Sequence, residues 1–277
     1  MRIAILVVTL IVLSLVKYFS PILQQNWIPR VAIKGPGTGQ WNVYRTAKSL
    51  LVSKKKYNNC HEEWFRLNPR IIMHWFDDKA CRDFMRTQGE RVFNVYQALR
   101  PGAYKADLFR LCILYERGGM YVDAESTPYV SIREMIRGVG SSFISILDST
   151  STGIHNGLII SPRGHPFLKA CIERILEIVE RRSYEDGSLA ITGPVCMARA
   201  INEYMGREVN SSFVPGLNKH AGHDLFLYVH VFGPSQNIYK ADQCLLAKKH
   251  CWFSYCVELK KGSNYGRMYA RRQVYDP

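Results

Sequence analysis

The chain of 277 residues is long enough for one sizeable domain with a proper core, and its hydrophobic content of 47% is ordinary for a globular protein. Thirty-seven Lys and Arg residues against 23 Asp and Glu residues give a net charge of +14, which indicates a solvated basic surface with some attraction to phosphates and membranes. Zinc-finger spacing, an RNA-binding aromatic signature and a basic helix with heptads are absent from the sequence, so nucleic acid is not an expected partner.

The eight cysteines contain no CxxC pair, which argues against a zinc site. Cys112, Cys171 and Cys196 fall inside predicted helices, and we expect them to be buried thiols. The other five are disulfide candidates if the domain lies in an oxidising lumen: Cys60, Cys81, Cys244, Cys251 and Cys256.

Residues Ile3 to Val16 are almost wholly apolar and are flanked by Arg2 and Lys17. A cleaved signal peptide, an uncleaved signal anchor and a buried core helix all fit such a run, although a spanning helix needs about 20 residues. No clear small-x-small cleavage site follows, which favours the anchor. We therefore expect a membrane anchor with a short stem over residues 1–24, and a folded domain over residues 25–277.

Strands and helices are predicted to alternate in the next part of the chain. Ile28 to Ile33 and Arg70 to Phe76 have the composition of strands, and Asp77-Asp78 can cap a helix from Lys79 to Thr87. Residues 41–56 contain the basic run RTAKSLLVSKKK, for which we predict an exposed helix or loop. The alternation favours an α/β sheet that binds ligands at the carboxyl ends of its strands.

The stretch from Ala106 to Glu125 carries the candidate site. It opens as an amphipathic helix in which Asp107 and Arg110, three residues apart, share a face. Gly118-Gly119 is expected to end the helix, and a short buried strand, residues 120–122, then leads into Asp123-Ala124-Glu125. Two carboxylates two residues apart on an extended chain point the same way, which suits a hard divalent cation.

The remaining chain continues the alternation. Strands are predicted over residues 141–147, 158–160 and 225–232, and helices over residues 166–182 and 195–204. We expect His165 to be a turn residue and His230 to be a structural histidine rather than a catalyst. Thr192 fits a helix N-cap and a ligand-site residue equally well.

These motifs resemble family 32 of the DXD glycosyltransferases, over roughly residues 28–256. The resemblance lies in the Ala106-Asp107-x-x-Arg110 helix, the Gly118-Gly119-x-Tyr121 turn and the acidic Asp123-x-Glu125, where the family has Asp-x-Asp. Other segments are also similar to the family. Residues 96–104 resemble the family segment that precedes this helix, and Asn156 resembles its asparagine before an apolar strand. The Thr192-Gly193-Pro194 turn is similar as well, and residues 250–255 match loosely, with Ser254-Tyr255 in place of Ser-Trp.

The resemblance implies a GT-A nucleotide-diphospho-sugar transferase fold with a mixed, mostly parallel central sheet. It implies a metal-dependent, retaining hexosyltransferase that uses a UDP- or GDP-linked sugar and a glycan, protein or lipid acceptor. Mn²⁺ or Mg²⁺ would be held by Asp123 and Glu125, with His250 as a further ligand. Donor contacts are expected from five residues: Asp107, Arg110, Tyr121, Asn156 and Ser254. The anchor would make the protein a single-pass type II membrane protein, with its catalytic domain in the Golgi or ER lumen if the source is eukaryotic.

Two other functions stay open on the sequence. A non-catalytic nucleotide-sugar or glycan-binding protein on the same fold fits the Glu at position 125 and the first strand, where Ile33 and Lys34 stand in place of the family's His-Gln. A basic protein that binds membranes or nucleic acid fits the charge of +14. Separately, Asp107 and Arg110 alone would also fit a plain surface ion pair.

Overall fold

The computed structural model describes residues 40–48, 61–137, 139, 143–220, 223–231, 236–239, 245–249 and 265–277. The predicted anchor, the strand over residues 28–33, His250 and Ser254 lie outside these ranges. Among the residues described, no helix combines the length and the apolar composition needed to cross a membrane.

A mixed sheet forms the centre of the described chain. Its strands are β1 (Trp41–Thr46), β2 (Ile71–Phe76), β3 (Gly119–Val122), β4 (Ser126–Pro128), β5 (Phe143–Leu147), β6 (Ile154–Ser161), β7 (Gly216–Asn218), β8 (Leu225–Val231), β9 (Gln236–Tyr239) and β10 (Leu245–Lys249). The main part has the order β2-β1-β3-β6-β5-β8, with β7 beside β8. Five of these seven described strands run in one direction, and only β6 and β7 oppose them. The predicted α/β class and mixed sheet are confirmed.

Helices connect the strands and cover the sheet. They are α1 (Asp78–Arg86), α2 (Glu90–Ala98), α3 (Gly102–Arg117), α4 (Ile132–Met135), α5 (Pro166–Glu180), α6 (Pro194–Tyr204) and α7 (Tyr265–Ala270). Residues 61–67 are also helical. The predicted helices over residues 79–87, 166–182 and 195–204 match α1, α5 and α6 to within two residues at each end.

The central strands are buried on both faces. One apolar cluster joins α3, α5 and α6 to one face of the sheet, through side chains such as Tyr121 and Ile159. A second cluster lies on the opposite face, where Val122 and Leu158 pack with Trp64. Burial on both faces is typical of strands in an α/β sheet covered by helices on either side.

The basic run RTAKSLLVSKKK, residues 45–56, is predicted to be an exposed helix or loop, and this is wrong for its first two residues. Arg45 and Thr46 end β1, which pairs in parallel with both β2 and β3, whereas residues 49–56 lie outside the described ranges. Arg45 is fully buried, with its guanidinium carbon 5.6 Å from the Trp64 ring and 5.3 Å from the Trp75 ring. The two neighbouring aromatic rings stabilise this charged side chain in the core, so its charge alone does not indicate exposure.

Cys112, Cys171 and Cys196 are buried free thiols, as predicted. Cys81 is a buried free thiol as well, so the prediction that it is a disulfide candidate is wrong. It lies on α1 and packs in the same apolar cluster as Phe84. The other four candidate cysteines lie outside the described residues.

Candidate active site

A cavity of about 390 Å³ opens at the edge of the sheet where β3, β5 and β8 end. Such edges are where open α/β sheets bind ligands, and the volume lies within the roughly 300–1,000 Å³ of small-molecule sites. Polar and aromatic side chains on its walls include Tyr104, Asp107, Arg110, Asp123, Asp148, His155, Asn156, His230 and Tyr265.

Helix α3 carries Asp107 and Arg110 into this cavity. It begins after Pro101 and ends at Gly118, whose φ of 64° and N–H bond to the Leu114 carbonyl close the last turn. A side chain at Gly118 would also meet the backbone nitrogen of Arg163 at 2.6 Å. The predicted end of this helix at Gly118-Gly119 is therefore confirmed, and glycine is needed there for both conformation and space.

Asp107 is held by three partners. Asn156 Nδ2 donates to Asp107 Oδ1 at 2.9 Å, and Thr192 Oγ1 donates to Asp107 Oδ2 at 2.8 Å. Arg110 lies 3.3 Å from the same carboxylate. Asp107 and Arg110 do form an ion pair, but it is buried: 11% and 7% of their side chains are exposed. The alternative of a plain surface pair is therefore wrong.

Arg110 connects helix α3 to the acidic turn. Its Nη1 donates to the Asn156 carbonyl at 2.7 Å and lies 3.6 Å from Asp123 Oδ1. Its guanidinium carbon lies 4.5 Å from the centre of the buried Tyr121 ring, and the Tyr121 hydroxyl is hydrogen-bonded to Thr46. The Tyr121 ring thus packs against the Arg110 guanidinium and helps to fix its position.

Burial strongly affects the charges of this pair. Burial raises the pKa of Asp107 to about 6, although Arg110 and the Thr192 and Asn156 hydrogen bonds favour its ionised form. Burial alone would lower the pKa of Arg110, but the acidic groups around it, including Asp107 and Asp123, raise that pKa above its ordinary value. A carboxylate that titrates near neutrality inside a cavity is a common feature of functional sites.

The acidic segment is a tight turn and not the extended chain that we predicted. The Ser126 N–H donates to the Asp123 carbonyl at 3.0 Å, which closes a turn over residues 123–126. Asp123 lines the cavity, whereas the half-exposed Glu125 follows it around the turn. The alternation of side chains along a strand therefore does not fix the relative direction of the two carboxylates.

Buried groups hold this turn from behind. Arg45 Nη2 donates to the Ser126 carbonyl at 2.6 Å, and Trp64 Nε1 donates to the same oxygen at 2.9 Å. Both donors are fully buried. The acidic turn is thus fixed to β1 and to the helical segment over residues 61–67.

Gly157 leaves room for the Asp123 carboxylate. A Cβ atom at residue 157 would lie 2.5 Å from Asp123 Oδ2 and 2.5 Å from His155 Cε1. Both distances are shorter than any ordinary contact, so only glycine lets these two side chains approach the backbone of β6.

Three further polar residues line the cavity and were not selected from the sequence. Asp148 follows β5 directly, His155 lies on β6 and His230 lies near the end of β8. His230 Nδ1 lies 3.7 Å from Asp148 Oδ1, and the rings of His155 and His230 are 5.1 Å apart. Burial opposes the charge of Asp148, but His230, His155 and the Ser149 N–H outweigh it and lower its pKa. The interpretation of His230 as purely structural is incomplete, because its side chain lines the cavity.

Among the described residues, the acidic turn offers two carboxylates as ligands for a divalent cation. Two carboxylates, Asp123 and Glu125, lie on the acidic turn, but no cluster of three or more His, Cys, Asp or Glu side chains with metal-binding geometry occurs in the ranges that the structure describes. Mg²⁺ is usually held by one or two carboxylates together with substrate phosphates and water. The donor set therefore suits a cation that binds together with a diphosphate.

The structure brings together Asp107, Arg110, Asp123 and Asn156, with Tyr121 packed beneath them. It also excludes the N-cap alternative for Thr192: the N-cap of α6 is Gly193, and the Thr192 hydroxyl donates to Asp107. His165 is the N-cap of α5, as its predicted place in a turn suggested. Asp148 could have been found from its position as a carboxylate directly after a predicted strand.

Comparisons with known proteins agree with this site. Residues 54–140 match the family model described as a glycosyltransferase sugar-binding region containing a DXD motif. The chain is 24% identical over 211 residues to an initiation-specific alpha-1,6-mannosyltransferase of Candida albicans, covering 61% of this chain and 54% of that protein. It is 27% identical over 121 residues to an uncharacterized glycosyltransferase of Acanthamoeba polyphaga mimivirus, covering 43% of this chain and 47% of that protein.

The chain thus spans about half the length of the curated relatives that it matches. Among solved structures, it is similar to the PaToxG glycosyltransferase with a TM-score of 0.44 and 13% identity, over 60% of this chain and 70% of that one. The family match includes the Asp107 helix and the acidic turn, and it confirms the resemblance stated from those motifs. Residues 54–140 of this chain therefore match the sugar-binding region of the DXD-containing glycosyltransferases.

Proposed function

We propose that the protein is a metal-dependent hexosyltransferase of GT-A fold that moves a sugar from a nucleoside diphosphate to a glycan, protein or lipid acceptor, with retention at the anomeric carbon. The observation that carries this proposal is the buried network of Asp107, Arg110, Asn156 and Thr192, which contacts Asp123 through Arg110. A family match over residues 54–140, which include Asp107, Arg110 and Asp123, supports it.

Each residue has a role that its contacts support. Asp107 and Asn156 present a carboxylate and an amide to the cavity, and such groups hydrogen-bond the hydroxyls of a sugar. Arg110 holds both of them in place and adds positive charge near the leaving diphosphate. Because the network is buried and internally hydrogen-bonded, these groups are positioned before the donor binds.

A divalent cation, when bound at Asp123 and Glu125, would neutralise the charge that develops on the leaving diphosphate. His250 and Ser254 remain sequence-based candidates for the metal and the donor. The membrane anchor and the lumenal location likewise remain predictions from the sequence.

The name of the Candida albicans relative makes mannose the first donor sugar to test. The test is a panel of UDP- and GDP-linked hexoses with the full chain, following nucleoside diphosphate release with and without Mn²⁺ or Mg²⁺. We expect metal-dependent turnover of one donor and its loss in Asp123→Ala. An Asp186→Ala variant is the control, because Asp186 pairs with Arg199 away from the cavity. Failure of every donor to bind would contradict the proposed transferase function.

One observation keeps a second function in view. Glu125 is half-exposed on a turn, and the described residues show no three-ligand metal cluster, so the chain would also fit a protein that binds nucleotide sugars without transferring them. Tight, metal-dependent donor binding without any release of nucleotide, by hydrolysis or by transfer, would favour that function.

A further inference from the structure

The cavity is longer than the donor network needs. Its wall runs from Asp123, after β3, past β6 to Asp148, after β5, and on to His230 on β8. These strands are consecutive neighbours in the sheet, and three spacings of about 4.8 Å give a span of roughly 14 Å. A single hexose bound at Asp107 and Arg110 would leave the part beside β5 and β8 unfilled.

The distal part has its own buried polar groups. Only 12% of the Asp148 side chain and 2% of the His230 side chain are exposed, and their nearest polar atoms are 3.7 Å apart. The His155 ring lies between this pair and the Asp123 side chain, since it approaches both His230 and Gly157. A continuous row of polar groups therefore connects the donor network to the distal end.

The charge of the distal part argues against a phosphate there. Arg110 is the only Arg or Lys among the described residues that line the cavity, and it already contacts Asp107 and Asp123. Asp148 adds a further carboxylate, which repels an anionic group. A carboxylate beside an imidazole instead suits a neutral ligand with hydroxyl groups, since a hydroxyl both donates and accepts a hydrogen bond.

We propose that Asp148 and His230 form a subsite that binds a hydroxyl of the acceptor sugar, next to the donor subsite at Asp107 and Arg110. This inference rests on the proposed transferase function and adds to it the place and chemical class of the second substrate. Asp148 accepts a hydrogen bond from the acceptor hydroxyl, and His230 orients the Asp148 carboxylate. The acceptor sugar then lies along the row of polar groups, within reach of the donor sugar.

The test uses the full chain as wild type, as Asp148→Asn and as His230→Gln, with the donor found by the panel described above. The acceptor probes are the methyl glycosides of mannose, glucose, galactose and N-acetylglucosamine. Asp224→Asn is the matched control, because Asp224 precedes β8 at the opposite edge of the sheet. We expect the KM for the acceptor to rise about tenfold or more in both variants, while the KM for the donor changes less than twofold.

Three results would overturn the subsite. The acceptor KM of Asp148→Asn and of His230→Gln could equal that of wild type. Alternatively, the donor KM of these variants could rise together with the acceptor KM, which would assign Asp148 and His230 to donor binding or to stability. A wild-type chain that releases nucleotide by hydrolysis at a rate that no glycoside changes would also remove the subsite, yet leave the donor proposal standing. Absence of any donor turnover would instead remove the proposed function, and the subsite with it.

Discussion

At the scale of single residues, Asp107 combines two properties that rarely occur together. It is nearly fully buried, and it accepts hydrogen bonds from Asn156 and Thr192 while it pairs with Arg110. These partners satisfy a carboxylate, yet the loss of water keeps its pKa at about 6. The charge of the donor network therefore changes near neutral pH.

This pKa predicts how stability depends on pH. An aspartate in the unfolded chain titrates near 3.8, so the folded chain binds an additional proton between about pH 4 and pH 6. The stability contributed by Asp107 is therefore greatest below this window and falls as the pH rises through it. From about pH 4 to pH 7, we expect the free energy of unfolding of wild type to fall by up to about 3 kcal/mol relative to Asp107→Asn. Denaturant unfolding at several pH values measures this, and a difference that does not vary with pH would contradict it.

Gly157 gives a second prediction at the same scale. In Gly157→Ala, the added methyl group would lie 2.5 Å from Asp123 Oδ2, so the carboxylate must move. We expect the metal-dependent affinity for a nucleoside diphosphate, measured by titration calorimetry, to fall about tenfold, or about 1.4 kcal/mol. Gly187→Ala is the control, since a Cβ atom at residue 187 meets no atom within 4 Å. Equal affinities for the two variants would show that Asp123 is not confined in this way.

Sequence patterns predicted part of this site at the level of residues. The three-residue spacing of Asp107 and Arg110 placed them on one helix face, and the Gly118-Gly119 pair fixed the end of that helix. Thr192, Asp148 and His155 are distant in sequence, and their proximity depends on the order of strands in the sheet. Local patterns do not contain that order, so the sequence could mark Asp148 and Thr192 as candidates but could not show which side chains they contact.

At the scale of elements, the acidic turn depends on a strand that lies behind it. Arg45 from β1 and Trp64 both donate to the Ser126 carbonyl, while the rings of Trp64 and Trp75 enclose the Arg45 guanidinium. The basic composition of this segment predicts exposure, because a run of basic residues usually lies in water. The error shows that aromatic residues elsewhere in the chain decide whether an arginine is buried.

We predict that Trp64→Phe weakens the site as well as the fold. It removes the indole N–H bond to Ser126 but keeps an aromatic ring beside Arg45, so the free energy of unfolding should fall by about 1–3 kcal/mol. Trp75→Phe is the matched control, because its indole nitrogen faces His61 at 3.4 Å and does not contact the turn. Only Trp64→Phe should also weaken metal-dependent binding of a nucleoside diphosphate. A similar loss of binding in both variants would mean that the turn responds to general destabilisation.

At the scale of the whole molecule, the segment after α7 completes the core. Val274 is fully buried and Tyr275 is nearly so, and both belong to the apolar cluster that includes α3 and α5. The Arg100 N–H donates to the Val274 carbonyl, and the Asp276 N–H donates to the Ala98 carbonyl. The basic composition of this segment does not indicate this role, because only the Val274 and Tyr275 side chains pack in the apolar cluster.

The burial of Val274 predicts its contribution to stability. Val274→Ala should lower the free energy of unfolding by about 2 kcal/mol, from lost apolar burial and the cavity left behind. Val214→Ala is the control, because 60% of Val214 is exposed and its loss should change stability by less than about 0.5 kcal/mol. Chemical denaturation of both variants measures the difference. Equal stabilities would show that this segment is not part of the cooperative core.

The contact of the final segment with Ala98 and Arg100 also affects the order of events during synthesis. β1, β2 and β3 can pair as soon as residue 122 has been made, but the groove beside Leu99 stays uncovered until residue 275 follows. Contacts between such distant parts of a chain form slowly, because a long loop must close first. A nascent chain would therefore leave the surface around Leu99 uncovered until late in its translation, which makes that surface a natural site for a chaperone to bind.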